Sequence, residues 1–350
     1  MKNKLKFLFV LIFGVFALTF FVPKGETQTK TQTAGEKFKN IKVLNDMPAD
    51  QMGKVMNLIS ASLGMDCNEC HDKNDFSKDN RTKETARKMM SMTFDINKNS
   101  FNGRPEITCN TCHNGREHPQ SAPNLTPTAQ PERPAQPDKK PTVDEILAKY
   151  QTAIGGKAKL AKITSRYIKS QRVEADGKTI EAEEMWQKGN KLSLKTTYPK
   201  DVITEGFDGT NAWKKVNGNA IDLKTDEAEL IKREAQIANG DFKSIYSKMD
   251  FRFIDKIDGR EVYMVTAQTA DNQRDRLFFD VQTGLLVRRT TGVPTVLGFY
   301  IYQVDYQQYK DFGGVKLPSM TKFAVPNISW THKILEVKNN ANVDDKVFMK

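Results

Sequence analysis

Cysteine and histidine are among the scarcest residues of this 350-residue chain, which has four of each. All four cysteines fall in two short runs, Cys67-Asn68-Glu69-Cys70-His71 and Cys109-Asn110-Thr111-Cys112-His113, leaving only His118 and His332 outside them. Cysteines so placed leave none for a disulfide scaffold spread through the fold. Long apolar runs are also scarce. Phe7 to Val22, 16 residues, is the main one, slightly short for a spanning helix and slightly long for the apolar part of an export signal. The net charge of +11 has no focus: residues 1–34 carry +4, 35–118 +1, 119–142 +1 and 143–350 +5. With no basic cluster interleaved with aromatics, the composition argues against nucleic-acid binding.

The two cysteine runs are of the form Cys-x-x-Cys-His, the attachment signature of c-type haem. Two thiols three residues apart can add to the two vinyl groups of one porphyrin, and the next residue offers an imidazole to the iron. A four-cysteine zinc site also uses paired runs, but at a separation of roughly 15–20 residues; here 38 residues lie between Cys70 and Cys109. Zinc gives no reason for a histidine after each pair. A bridge closing only Cys-x-x-Cys suits redox enzymes better than scaffolds. The expectation is two covalent haem c groups (iron), held by Cys67, Cys70, Cys109 and Cys112, with His71 and His113 as proximal metal ligands.

Residues 1–24 read as a signal peptide or N-terminal membrane anchor and 25–35 as a flexible tether. Met52, Val55, Met56, Ile59 and Leu63 trace one helical face, and Gly64 is a stop residue. A second amphipathic segment runs from Lys83 to Asn97, and a loop from Asn97 to Glu106 leads into the second motif. The plan occurs twice: a Met-bearing helix, a turn, then Cys-x-x-Cys-His. Thioether sulfur is a common sixth ligand to haem iron and raises its potential. Met56 is the candidate in the first unit; Met89, Met90 and Met92 compete on spacing in the second. Core filling is the alternative use of all of them.

Residues 36–118 resemble the cytochrome c subunit of photosynthetic reaction centres. The resemblance rests on Val55-Met56 ahead of Cys67, on Ala86-Arg87-Lys88-Met89-Met90-Ser91-Met92-Thr93 with Ile96-Asn97, and on Thr108 to Gly115. It implies a small α-helical multihaem cytochrome c domain, with Met56 paired to His71 and Met89 to His113, and Met92 in reserve. That family's subunit has four haem motifs where this chain has two.

Residues 119–141 hold seven prolines and read as a semi-rigid linker. Residues 142–350 open with a helix capped by Thr142 and Glu145, whose apolar stripe is Ile146, Leu147, Tyr150 and Ile154. From Ser165 the pattern is strand after strand, with Asp208-Gly209, Asn217-Gly218, Asp258-Gly259, Gly284 and Gly313-Gly314 as turns and one helical insertion over Asp226 to Ala238. The expected fold class is multidomain, the second part an α+β domain with a curved antiparallel sheet (half-barrel). The segments Gly206 to Trp213 and Phe279 to Val287 make it similar to the LolA/LolB-like lipoprotein-carrier half-barrels. No catalytic constellation is visible, and His332 reads as a plain sheet residue.

These readings converge on an exported electron carrier of the periplasm or envelope, rather than an enzyme. Its expected partners are redox proteins, with a lipid or quinone at the second domain and membrane association through the N-terminal segment. A dihaem peroxidase with one open iron, and a redox-sensing lipid- or quinone-binding module, are the alternatives.

Overall fold

The computed structural model describes residues 32–122, 134–223, 225–237, 240 and 242–350. The expected signal or anchor segment, most of the tether and residues 123–133 of the linker lie outside the described residues. Among the described residues no helix is long and apolar enough to cross a membrane.

The N-terminal unit is helical: α1 (Ala34–Lys37), α2 (Met52–Leu63), α3 (Cys67–Cys70), α4 (Arg81–Phe101) and α5 (Cys109–His113). Its core gathers Ala34, Leu44, Met47, Val55 and Met90, with Met52, Met56, Ile59 and Phe94 packed against them. Ala34 is fully buried and its N–H donates to Met47 O at 2.7 Å, so the end of the expected tether belongs to the fold. The α4 helix also runs past the predicted Asn97 to Phe101. Its stop is Asn102, in the left-handed region at φ 53°, followed by Gly103, a pair that ends a helix as Gly alone does elsewhere. The expected loop is therefore shorter than the pattern suggested.

Four further helices follow: α6 (Val143–Ala153), α7 (Lys157–Leu160), α8 (Thr225–Ile237) and α9 (Phe242–Ile245). The expected capping box on α6 is present, Glu145 N–H donating to Thr142 Oγ1 and Thr142 N–H to Glu145. At the linker's far end the Gln136 amide pairs with both backbone groups of Ile254.

Among the described residues thirteen strands make one curved antiparallel sheet. They are β1 (Ser165–Glu174), β2 (Thr179–Lys188), β3 (Lys191–Thr197), β4 (Val202–Phe207), β5 (Ala212–Val216), β6 (Asn219–Ile221), β7 (Lys248–Ile257), β8 (Arg260–Gln268), β9 (Arg274–Asp280), β10 (Leu286–Thr295), β11 (Gly298–Asp311), β12 (Lys316–Val325) and β13 (Ile328–Asn339). The order β6-β5-β4-β3-β2-β1-β13-β12-β11-β10-β9-β8-β7 is two meanders joined where β1 pairs with β13. Period-two alternation splits the side chains between the faces. Val265, Ala267, Leu277 and Phe279 pack under Ile146 and Tyr150 of α6 and Phe242 of α9, while Val262, Met264 and Phe278 form a separate cluster with Val287. Full burial of each of these Val, Leu, Ile, Met and Phe side chains stabilises by about 1.5–3 kcal/mol.

The helix-covered face also carries a buried polar group. Trp330 Nε1 donates to His332 Nε2 at 3.1 Å, so His332 is protonated on Nδ1 and faces Glu183 at 3.1 Å. Glu183 also accepts from Ser170 at 2.9 Å and Thr196 at 3.2 Å. Burial raises Glu183 from 4.5 to about 7 despite those donors. Burial, helped by the charge of Arg172, lowers His332 from 6.5 to about 3.

The two shifts oppose each other. Glu183 favours folding below pH 4.5 and loses that contribution as pH rises through 7, whereas His332 favours folding above 6.5 and loses it as pH falls through 3. Between 4.5 and 6.5 the folded chain holds one proton on Glu183 and the unfolded chain one on His332, and the two cancel. Glu183→Gln removes one side. The variant's stability relative to the native chain should climb across that window by up to about 1.4 kcal/mol per pH unit, as read by urea unfolding at stepped pH. A level difference would refute the pairing.

Candidate functional site

Each cysteine run folds as a single helical turn, and the residues between the cysteines help to build it. The Glu69 carboxylate accepts the Asp66 N–H, and the Thr111 hydroxyl accepts the Thr108 N–H at 3.0 Å. An N3 side chain thus satisfies a donor at the start of each turn. The turns place Cys67 with Cys70, and Cys109 with Cys112, on one helical face. All four are free thiols, Cys67 and Cys112 exposed and the other two half-buried. Burial pushes the Cys70 thiol up, with the charge of Glu69 adding to it, and burial does the same to Cys109.

The histidines that follow are set alike. His71 Nδ1 lies 3.1 Å from Phe76 O, and His113 Nδ1 lies 3.0 Å from Arg116 O. A carbonyl only accepts, so Nδ1 bears the proton in both rings and Nε2 keeps its lone pair for a metal. The Phe76 ring, 60% exposed, stacks on His71 at 4.9 Å.

The turns leading into the motifs are clamped from the helices before them. Ser60 donates to Met65 O, and Asn97 brackets Ile107, donating to its carbonyl at 2.7 Å and accepting its N–H at 2.9 Å. The loop after the first motif is tied to the start of α4, where Asn80 donates to Cys70 O at 2.9 Å. The turn after the second is tied to the end of α2, where Gly115 N–H donates to Ser62 O at 2.8 Å. Gly64 stands there at φ 64°, and a Cβ on it would lie 2.4 Å from Gly115 O. Only glycine meets both demands. Each motif is held by both long helices.

Of the four candidate methionines, Met90 is the buried one and belongs to the core, and Met56 is half-buried against it. Met89 and Met92, 39% and 44% exposed, form an outward apolar stripe with Ile96 on α4. A cavity of about 670 Å³ between that helix and Lys42-Val43 is lined by Met92 and Ile96 but not by Met89. Neither a cysteine nor a motif histidine lines that cavity. Among the described residues no three His, Cys, Asp or Glu side chains converge as a bare ion would need. The donor set therefore suits iron carried in a porphyrin better than a naked metal. His118 is exposed beside Glu117, and His332 is engaged in the sheet, far from either motif in sequence. The backbone acceptors Phe76 O and Arg116 O and the clamps Ser60 and Asn97 carry no sequence signature and were not foreseen.

Paired thiols on one turn, each followed by an imidazole with a free Nε2, are the donors a c-type cytochrome uses to hold haem. Residues 17–170 match the photosynthetic reaction centre cytochrome C subunit family. The chain is 30% identical over 122 residues to the photosynthetic reaction center cytochrome c subunit of Roseobacter denitrificans, an alignment covering 31% of this chain and 32% of that protein. The chain thus spans about a third of the length of the curated relative it matches. Among solved structures, a LolA superfamily protein from Nitrosomonas europaea is 15% identical, with 60% of this chain and 99% of that one covered at a TM-score of 0.41. A DUF1329 family protein from Desulfovibrio piger is 10% identical, with 59% and 97% covered at 0.42. At such scores these likenesses bear on neither ligand nor activity.

Proposed function

We propose that this chain is an exported dihaem c-type cytochrome that passes single electrons between redox partners of the envelope. In this reading Cys67 and Cys70 hold one haem and Cys109 and Cys112 the other. His71 and His113 are the proximal ligands, and Met56 and Met89 the distal ones. The bound group supplies a one-electron couple at each iron. The chain's own residues hold, orient and shield it. The observation that carries the reading is the twin arrangement of His71 and His113, each with Nδ1 against a carbonyl just after a one-turn thiol pair. Phe76 O and Arg116 O fix the ring tautomer and orientation, as the outer hydrogen-bond partner of a metal-bound histidine does.

The N-terminal apolar run, as a retained anchor, would keep the chain at the membrane. The sheet domain, reading 142–350 as one domain after the 119–141 linker, would serve docking or hold an apolar ligand such as a lipid or quinone.

Mass spectrometry of the intact chain purified from its own envelope, native and then denatured, tests the reading. Two haem masses surviving denaturation are expected, and one or none would overturn it. Met56→Ala and Met89→Ala should each open a sixth coordination position and lower the potential of one haem. Spectra and potentials unchanged in both variants would remove these methionines as ligands.

A further inference from the structure

We infer that the tip of the β10–β11 hairpin positions both haem-bearing motifs, so that the sheet completes the haem unit. The inference rests on the proposed haem attachment. Leu297, at the tip, is 4% exposed and lies in the helical unit's own core with Ala34, Leu44, Val55 and Met90, against Met56. The next residue, Gly298, sits at φ 122°, and a Cβ there would stand 2.8 Å from Thr108 Cγ2. Thr108 caps α5, one position before Cys109. Two residues further, the Tyr300 hydroxyl accepts from Asn57 Nδ2 at 3.4 Å, and Asn57 is Met56's neighbour. From the adjacent hairpin, Asn327 donates to Ser60 Oγ at 2.9 Å, and Ser60 in turn clamps the turn before Cys67.

These contacts go to residues one or two places from a proposed attachment or ligand position, or to the clamp that sets one. Interfaces between domains of one chain ordinarily resemble transient docking, with relative motion as the default. Here a side chain of one unit is instead a core residue of the other. Sites are held to useful tolerance when the residues behind them are locked by packing. The hairpin supplies that packing from a rigid strand pair. Val296 and Phe299, flanking the buried tip, are 38% and 57% exposed and provide an internal control. Leu297, Gly298 and Tyr300 are thus positioning residues, acting through α2 and α5.

The test compares Leu297→Ala, Gly298→Ala, Leu297→Met and Phe299→Ala in the full haem-loaded chain. Spectroelectrochemical titration should show a shifted potential and a weakened methionine-to-iron band in Leu297→Ala, and a shift in one of the two haems in Gly298→Ala. Leu297→Met should restore the native values and Phe299→Ala should keep them. Should Leu297→Ala not fold, Gly298→Ala decides alone. Native potentials in Gly298→Ala, or an equal shift in Phe299→Ala, overturn the inference. Hydrogen exchange of the same proteins separates this failure from that of the haem reading. If denatured wild-type chain carries no haem, the proposed function falls. Positioning is then read from whether amides of residues 55–63 and 108–115 exchange faster in Leu297→Ala and Gly298→Ala, and equal exchange overturns it.

Discussion

With Cys109→Ser and Cys112→Ser together, the denatured chain is expected to carry one haem in place of two, with the visible absorbance of the haem halved. The fold should survive the change. The α5 turn is held by Thr108 and Thr111, and the approach to it by the Asn97 amide on both backbone groups of Ile107; no sulfur takes part in these bonds. The matching pair Cys67→Ser and Cys70→Ser should remove the other haem, and the four-fold variant both. A single change at either run should still leave one thioether and a retained haem mass. Denaturing mass spectrometry reads all of these directly. Two haems on the Cys109/Cys112 double variant would show that the second run is not an attachment site, however well its histidine is placed.

The second large effect lies in the sheet domain and needs no cofactor. Asp275→Ala should destabilise the protein by about 3–5 kcal/mol, the range for removing one member of a buried ion pair. The Asp275 side chain is fully buried and accepts from Arg233 at 3.1 Å, Tyr246 at 2.5 Å and Thr291 at 2.6 Å. Arg289, 1% exposed, stands 4.0 Å from it and also reaches Glu234 and Thr291. Removing the carboxylate takes from the Arg233 guanidinium, 3% exposed, its bond at 3.1 Å, and leaves a buried tyrosine hydroxyl without that acceptor. By contrast, Lys78→Ala, which breaks the exposed pair with Asp72 at 3.2 Å, should cost far less, because solvent screens such a pair. Urea midpoints of the two variants give the comparison. A loss at Asp275 as small as that at Lys78 would mean the buried network is dispensable.

Much of this was legible in the sequence, for reasons that differ from place to place. The two thiol runs stand out because haem attachment needs two thiols and an imidazole at fixed spacing, and cysteine is used nowhere else. The hairpins were marked by residues with left-handed backbone: Asn217-Gly218 and Asp258-Gly259 both take positive φ throughout the pair, as tight hairpin turns require. The helix face of Met52, Val55, Met56 and Ile59 follows the expected period into the core. What could not be read involves partners distant in sequence. Nothing near Leu297 says that it will be buried among residues 34–90, because an apolar residue at a hairpin tip looks like any other. Glu183 and His332 meet only because β1 stands between β2 and β13, a pairing no local pattern fixes. Backbone acceptors such as Phe76 O are invisible to sequence, since every residue has a carbonyl.

The place of Leu297 in the helical core has a consequence in time. The residue follows Cys112 by 185 positions, and at ordinary synthesis rates that interval lasts about 10–40 s. Throughout it the thiols of both runs have emerged while the core behind them lacks its last side chain. The helical unit therefore cannot complete its core until the sheet domain has been made, while Cys67 and Cys112 stay exposed in the finished fold. A truncation before residue 297 would leave that core without Leu297, a gap no residue of the helical unit itself fills.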